Sequence, residues 1–225
     1  DNQSSTDKAV SAASELVSSG VSVVLGSYGS SVSIAAADTF GDAKIPAIGV
    51  SCTNPAVTEG NDYYYRICFL DPFQGTVMAN YAWETGAKNA YVLAQLGDDY
   101  SVGLSTYFKE AFEKLGGKVT YETFPEGTSD FSAYITNATN AGAEVFFSPS
   151  STTAASLIIS QSASAGVKYP IMAGDTWENS AIIDAAKGTN ITVALSTFFD
   201  ENDDGATAAE FVNGFKEWLN SDKQN

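Results

Sequence analysis

Short apolar runs alternate without a break with segments whose apolar residues recur every three or four positions. Apolar runs occupy residues 21–26, 45–49 and 145–147, whereas residues 101–115 carry one continuous apolar stripe. The first pattern predicts buried β-strands, and the second predicts amphipathic α-helices. Strands that alternate with helices through short connections form parallel sheets. We therefore predict an α/β fold with mostly parallel strands and helices on both faces of each sheet.

The same periodicity assigns apolar faces to two further helices. In the helix predicted to end near residue 85, we expect Val77, Tyr81 and Ala82 to point inward. The helix predicted for residues 206–219 is amphipathic, and its apolar face consists of Phe211, Phe215, Trp218 and Leu219.

Two breaks divide the chain into parts. Asp71-Pro72 interrupts a strand pattern, and residues 200–205 form an acidic segment that contains glycine. The block between them has the size of one domain and alternates strands with helices throughout. We therefore predict that residues 71–200 form a second lobe, that residues 1–70 form part of a first lobe, and that residues 201–225 return to the first lobe. Two crossings between lobes imply a cleft.

Composition excludes several classes of function. The formal net charge is −16, which argues against binding to nucleic acids or to anionic membranes. The chain has no histidine, which is the commonest general base and metal ligand, and it carries no nucleophile elbow and no nucleotide-binding glycine loop. We therefore predict a protein that is not an enzyme and that needs no metal or cofactor. The sequence does not show whether Cys52 and Cys68 pair, and free buried thiols are the favoured interpretation.

Three loops that follow predicted strands are made of small hydroxyl residues. They are residues 26–31, 51–53 and 148–152. In open α/β sheets, ligands bind at the carboxyl ends of the strands, and helix N-termini and hydroxyl groups there attract anions. Each loop taken singly is better explained as an ordinary helix N-cap. The recurrence of the pattern at three strand ends favours a ligand site.

Three other residues near predicted turns have two possible roles. Asp175 follows a predicted strand, where its carboxylate either pairs with an ammonium group or caps the next helix. Tyr100 and Tyr28 either cover a ligand or pack on the surface.

Several segments resemble a known family. The segments are Ile-Pro-Ala-Ile from residue 45, Ser-Cys-Thr-Asn-Pro-Ala-Val-Thr from residue 51, Tyr-Arg-Ile-Cys-Phe-Leu-Asp-Pro-Phe-Gln-Gly from residue 65, and Asp-Asp-Tyr-Ser-Val-Gly-Leu from residue 98. They are similar to the branched-chain amino-acid substrate-binding proteins of ABC importers, which have a periplasmic-binding-protein-like type I fold. The resemblance implies two α/β lobes, of which the first is incomplete here, with an amino acid held between them.

The resemblance also implies partners and a location. It implies a monomer that delivers an aliphatic or small amino acid to the membrane subunits of an ABC importer. The location would be the periplasm or the cell surface, as a lipoprotein, with a signal peptide in the precursor. A ligand-sensing domain of a receptor or regulator with the same fold is the alternative.

The resemblance also assigns roles within the site. Ser30, Ser51 and Thr53 would bind the ligand carboxylate, and Asp175 would hold its ammonium group. Tyr100 and Ser150 would approach from the second lobe. The complete predicted site is Tyr28, Ser30, Ser51, Cys52, Thr53, Tyr100, Ser150 and Asp175.

The chain departs from the family pattern in three respects. Asp175 is shorter than the glutamate that is common at its position, and residues 148–152 lack an aromatic residue often found there. The family also has a strand–helix–strand opening before the equivalent of Asp1, and further elements after the equivalent of Asn225. These departures leave the identity of the ligand open.

Overall fold

The structure, a computed structural model, describes residues 1–200, 203 and 205–221, and its strands form two separate parallel sheets. In the three-stranded sheet, β2 lies between β1 and β3, and the pairs Val24–Ala47 and Gly49–Arg66 set the register. We call this sheet and its two helices the first lobe. Its elements are α1 (Thr6–Ser18), β1 (Val24–Leu25), α2 (Ser30–Ala43), β2 (Ala47–Gly49) and β3 (Tyr64–Arg66), with a 3₁₀ turn at Pro55–Val57.

The second lobe is a five-stranded sheet in the order β5-β4-β6-β7-β8, with helices between its strands. The predicted α/β fold class is thus confirmed. The elements are α3 (Asp71–Glu84), β4 (Asn89–Gln95), α4 (Asp99–Lys114), β5 (Lys118–Phe124), α5 (Ser132–Asn140), β6 (Val145–Phe147), α6 (Thr152–Ser164), β7 (Ile171–Ala173), a 3₁₀ turn at Asp175–Trp177, α7 (Ser180–Ala186) and β8 (Val193–Leu195).

A last helix, α8 (Ala206–Leu219), follows the second lobe. The predicted acidic segment and the predicted return to the first lobe lie partly outside the described residues, at positions 201, 202, 204 and 222–225. None of the described helices combines the length and the apolar character needed to cross a membrane.

Stacked aromatic rings build the core of the second lobe. Phe147 of β6 stacks on Phe108 of α4 with ring centroids 4.0 Å apart, and Phe108 stacks on Phe112. Leu104, Phe108 and Phe112 are fully buried, which confirms the apolar stripe predicted for this helix. Burial of these rings against β4 and β6 stabilises the sheet whose strand ends form one wall of the cleft described below.

Three predicted apolar faces are exposed. Val77 and Tyr81 of α3 face solvent, whereas Met78, Ala79 and Ala82 are buried. The strand predicted for residues 21–26 shortens to β1, an edge strand in which Leu25 is 77% exposed. The apolar side chains of α8 are likewise exposed, and no described residue of this helix is buried. The cause in α3 is its contact with α4, which lies on the side of the helix that carries Gly75.

Gly75 sets how closely α3 approaches α4. A Cβ at this position would lie 2.7 Å from the backbone nitrogen of Phe108 and 2.8 Å from Cβ of Tyr107. Real Cβ contacts are not this short, so any larger residue forces the two helices apart. Because α3 begins directly after the first lobe, this contact also fixes how the chain enters the second lobe.

Gly75→Ala should therefore lower the free energy of unfolding by about 2 kcal/mol, the usual cost of overpacking a core. Urea denaturation followed by circular dichroism measures this change. The matched control is Gly214→Ala in α8, where a Cβ meets no atom within 4 Å. This control should leave stability unchanged or raise it slightly through helix propensity. Equal effects of the two substitutions would contradict the close-packing argument.

Candidate ligand-binding site

The carboxyl ends of both sheets border one open cavity of about 770 Å³. Its first-lobe wall comes from the loops after β1 and β2 and from the start of α2. Its second-lobe wall comes from the loops after β4, β5, β6 and β7. Five of the eight predicted site residues line it, namely Tyr28, Ser30, Ser51, Tyr100 and Ser150.

The first-lobe wall is tied together by hydroxyl groups. Ser51 Oγ donates to the carbonyl oxygen of Tyr28 at 3.0 Å, which joins the loop after β2 to the loop after β1. Ser30 begins α2, and its Oγ accepts the backbone N–H of Asn54 at 3.2 Å. The Ser30 hydroxyl therefore keeps its proton available for an acceptor in the cavity.

Cys52 and Thr53 contribute no surface to this cavity, although both were predicted as site residues. Both side chains are fully buried, and Cys52 packs with the core of the first lobe. Thr53 Oγ1 lacks a hydrogen bond of normal geometry, and it lies near the carboxyl group of Asp71. The backbone after β2 turns these two side chains inward and leaves Ser51 facing the cavity.

Arg66 of β3 fixes the course of that backbone. Its guanidinium donates to the carbonyl oxygens of Cys52 at 2.9 Å, Asn54 at 2.8 Å and Pro55 at 3.0 Å. A fourth bond runs to Thr58 Oγ1 at 2.6 Å. A planar group with five N–H donors can satisfy several carbonyl groups at once, which a lysine cannot do in the same geometry.

The second-lobe wall is organised around Asp175. Tyr100 donates its phenolic proton to Asp175 Oδ1 at 2.9 Å, and the backbone N–H of Asp175 donates to Gln74 Oε1 at 2.8 Å. Gly174 permits this packing, since a Cβ there would lie 2.4 Å from the Tyr100 oxygen. Asp175 is almost completely buried behind Tyr100 and Thr176, and those two residues form the cavity surface.

Ser150 is held against the same turn through its main chain. Its carbonyl oxygen accepts the indole N–H of Trp177 at 3.0 Å and the hydroxyl of Thr176 at 3.2 Å. The loops after β6 and β7 are therefore joined, so that Ser150 and Thr176 present a single polar surface to the cavity.

The electrostatic character of the cavity is negative. Burial raises the pKa of Asp175, and hydrogen bonds from Tyr100 and Gln74 only partly offset this effect. Burial and, to a smaller extent, the charge of Asp175 raise the pKa of Tyr28, so the field of Asp175 reaches the opposite wall. Asp98 and Glu126 also line the cavity, and none of its described lining residues is Lys or Arg. No group of three or more acidic or cysteine side chains in the described part of the chain could hold a metal ion.

The two lobes touch directly beside the cavity. Ser31 Oγ at the start of α2 donates to Asp98 Oδ1 at 3.0 Å and accepts the backbone N–H of Asp99 at 2.9 Å. Asn54 Nδ2 donates to the carbonyl oxygen of Asp99 at 2.8 Å. These three bonds join the loop after β2 and the start of α2 to the start of α4, and we call them the interlobe contact.

Several residues of the cavity were missed by the sequence analysis. Some lie at the end of β4 and in the loops after β4 and β5, namely Gln95, Asp98, Glu126, Thr128 and Ser129, and others are residues 3–6 and Thr176. These loops also follow the carboxyl ends of parallel strands, so the same topological rule applies to them. They were overlooked because only loops rich in hydroxyl groups were selected.

Comparison with known proteins identifies the family. A sequence profile described as periplasmic binding protein matches residues 1–224. The chain belongs to the periplasmic binding protein family. It spans 59% of the length of the curated relatives it matches, for example Leu/Ile/Val-binding protein homolog 1 of Brucella melitensis, which is 30% identical over 96% of this chain.

Two solved members of the family extend the comparison to structure. The leucine-binding protein LivK of Thermotoga maritima superimposes with a TM-score of 0.92 at 31% identity, over 98% of this chain and 64% of that one. LivJ of Streptococcus pneumoniae, solved in complex with isoleucine, superimposes with a TM-score of 0.85 at 29% identity, over the same shares of the two chains, 98% and 64%. The two parallel sheets therefore have the same fold as the corresponding part of these two structures.

A second buried carboxyl group lies below the cavity, at the start of α3. Asp71 is fully buried, and its Oδ1 accepts a hydrogen bond from Gln74 Nε2 at 3.1 Å. Burial raises the pKa of Asp71 to about 7, with a further contribution from the charge of Asp175, whereas Thr53, Gln74 and Arg66 favour the ionised form. Asp71 therefore keeps its proton in the folded protein at pH values where it loses that proton in the unfolded chain.

This difference predicts a pH dependence of stability. Between about pH 4 and pH 7 the folded state binds more protons than the unfolded state, so stability falls as pH rises, by up to about 1.4 kcal/mol per pH unit. Asp71→Asn should remove this part of the slope. Urea denaturation at pH 5 and pH 8 measures it, with the exposed Asp184→Asn as control. The same pH dependence in Asp71→Asn and wild type would contradict the prediction.

The interlobe contact predicts a change in shape. Ser31→Ala removes one hydrogen bond to a carboxylate and one from a backbone N–H, which should cost about 1.5 kcal/mol and lower about tenfold the ratio of molecules with the interlobe contact formed to molecules with it broken. Small-angle X-ray scattering should then give a larger radius of gyration. Ser11→Ala on the exposed face of α1 is the control. An unchanged radius would show that this contact does not hold the lobes together.

Proposed function

We propose that the protein binds an aliphatic or small amino acid between its two lobes and delivers it to the membrane subunits of an ABC importer. Relatives named as Leu/Ile/Val-binding proteins, and a solved relative with isoleucine bound, support this proposal. They favour transport over the alternative of a sensing domain. The proposed location is extracytoplasmic, either free in the periplasm or as a lipoprotein at the cell surface.

The first-lobe wall suits the carboxylate of an amino acid. The start of α2 provides unpaired backbone N–H groups and the positive end of the helix dipole. The Ser30 hydroxyl accepts the backbone N–H of Asn54, which supports a role for its own proton as a donor to the ligand. Ser51 donates its hydroxyl proton to the carbonyl oxygen of Tyr28. It therefore positions the loop and presents lone pairs, not a donor, to a ligand.

The second-lobe wall suits the ammonium group. Asp175 is buried, and its Oδ1 accepts a hydrogen bond from the Tyr100 hydroxyl. Its charge also helps to raise the pKa of Tyr28 across the cavity. A ligand cation would compensate the unfavourable burial of this charge. Hydrogen-bond donors suited to an anion lie on one wall, and a carboxylate lies behind the other. This separation is the observation that carries the proposal.

The cavity also has room for an apolar side chain. Val32, Phe124, Ala154 and Leu157 contribute to its lining. Apolar groups of this kind favour an aliphatic ligand side chain over a charged one, because burying a charge there leaves it without a partner.

Asp175→Asn tests the role of the carboxylate. We expect the affinity for L-leucine, measured by isothermal titration calorimetry on the protein as its gene encodes it, to fall by about 10- to 100-fold, the effect of losing one charge-assisted hydrogen bond. The affinity for 4-methyl-2-oxopentanoate, which lacks the ammonium group, should change little. Asp184→Asn, an exposed acid in the same lobe, should bind leucine as the wild type does.

Two outcomes would contradict the proposal. Absence of heat with every standard amino acid would exclude amino-acid binding altogether. An equal loss of affinity for leucine and for its keto-acid analogue in Asp175→Asn would show that Asp175 supports the fold of the cavity and does not recognise the ammonium group.

A further inference from the structure

Cys52 and Cys68 lie just beyond the ends of two neighbouring strands. Residues Gly49 of β2 and Arg66 of β3 are paired in the parallel register, and the backbone N–H of Ile67 donates to the carbonyl oxygen of Gly49 at 3.1 Å. Cys52 is three residues after Gly49, and Cys68 is two residues after Arg66. Both thiols therefore lie at the carboxyl end of the three-stranded sheet.

The two thiols also lie close to each other. Side chains alternate along β3, so that Tyr64 is buried and Tyr65 is exposed, and Cys68, just past the end of β3, has its thiol within reach of the Cys52 thiol. Cys52 Sγ lies on the side of Tyr64, because a Cβ on Gly49 would lie 2.1 Å from this sulfur and 3.5 Å from the Tyr64 ring. The absence of a side chain at Gly49 makes the space that the Cys52 sulfur fills.

The electrostatics of the pair agree with this geometry. The Cys68 thiol is the largest influence on Cys52 and lowers its pKa to about 6, with smaller contributions from Ser33 and the positive charge of Arg66. The neighbouring Cys52 in turn raises the pKa of Cys68. The proximity of the two thiols therefore favours loss of the proton from Cys52 and disfavours it at Cys68.

We propose that Cys52 and Cys68, which are free thiols in this structure, form a reversible disulfide that ties the loop after β2 to the segment leading into α3. Cys52 lies between Ser51 and Thr53, and the Thr53 carbonyl oxygen accepts the backbone N–H of Asp71 at 3.0 Å. The disulfide joins the loop that lines the cavity to the point where the chain enters the second lobe. This inference does not depend on the proposed function.

The reaction requires an external disulfide, such as oxidised glutathione or the oxidised active site of a thiol–disulfide oxidoreductase. Cys52 is fully buried and Cys68 is half-buried, so the reaction begins at Cys68. Cys68 gives its proton to water, and the resulting thiolate attacks the external disulfide. A mixed disulfide forms, and one external thiolate leaves.

The second step closes the protein disulfide. Cys52 gives its proton to the departed thiolate, and the Cys52 thiolate then attacks the Cys68 sulfur of the mixed disulfide. The second external thiolate leaves and takes a proton from water. In sum, two protein thiols lose two electrons, and one external disulfide is reduced to two thiols.

The test compares the protein equilibrated with oxidised glutathione and with dithiothreitol, in the absence of any amino acid. After unfolding and alkylation, mass spectrometry should find two alkylated cysteines in the reduced protein and none in the oxidised protein, with a peptide that links Cys52 to Cys68. The melting temperature of the oxidised protein should be higher by roughly 5 °C or more, as expected for a loop of this length.

Cys68→Ser is the matched control, because Cys68 is half-buried, whereas substitution of Cys52 would disturb the core. This variant should show one alkylated cysteine under both conditions and no oxidation-dependent change in melting temperature. Two alkylated cysteines after oxidation would overturn the proposal. Glutathione retained on Cys68, or a disulfide between two protein molecules, would overturn it as well.

Discussion

The guanidinium of Arg66 determines the shape of the loop on which the cavity depends. It donates hydrogen bonds to three main-chain carbonyl oxygens after β2, those of Cys52, Asn54 and Pro55. This arrangement turns Cys52 and Thr53 into the core and leaves Ser51 at the surface of the cavity. It also places Asn54 against Asp99 of the second lobe. A cation in the first lobe thus orders both the ligand-facing loop and the interlobe contact, although it does not line the cavity.

A second polar network lies below the cavity, within the second lobe. Gln74 of α3 donates to Asp71 and accepts from the backbone N–H of Asp175 and from the Ser196 hydroxyl. Its amide joins the start of α3, the turn after β7 and the segment after β8. Asp71 and Asp175, two buried carboxyl groups with raised pKa values, therefore share Gln74 as a neutral hydrogen-bonding partner. The protonation of these groups is sensitive to any charge placed nearby. A cation bound near Asp175 would therefore also change the protonation equilibrium of Asp71.

The sequence predicted the elements better than it predicted which way their side chains point. The bounds of β6 agree at both ends with the apolar run at residues 145–147, which turn residues flank. On the predicted inner face of α3, Ala82 was right but Val77 and Tyr81 were wrong, since the close approach to α4 at Gly75 sets the orientation of the helix and no local pattern encodes that contact. Topology predicted that the loops carrying Ser30, Ser51 and Ser150 border the cavity, and the family resemblance added Tyr100. The inward course of Cys52 and Thr53 depends on Arg66, and the bond from Ser31 to Asp98 joins residues far apart in the chain, so both lay beyond a local analysis.

The central claim is that an amino acid lies between the two walls with its charges oriented by them. A crystal structure of the protein as its gene encodes it, with L-isoleucine bound, tests this claim most directly. The account predicts the ligand carboxylate at the start of α2 beside Ser30, and the ammonium group within about 3 Å of Asp175. An ammonium group directed to Asp98 or Glu126, or a ligand bound outside the cavity, would contradict it.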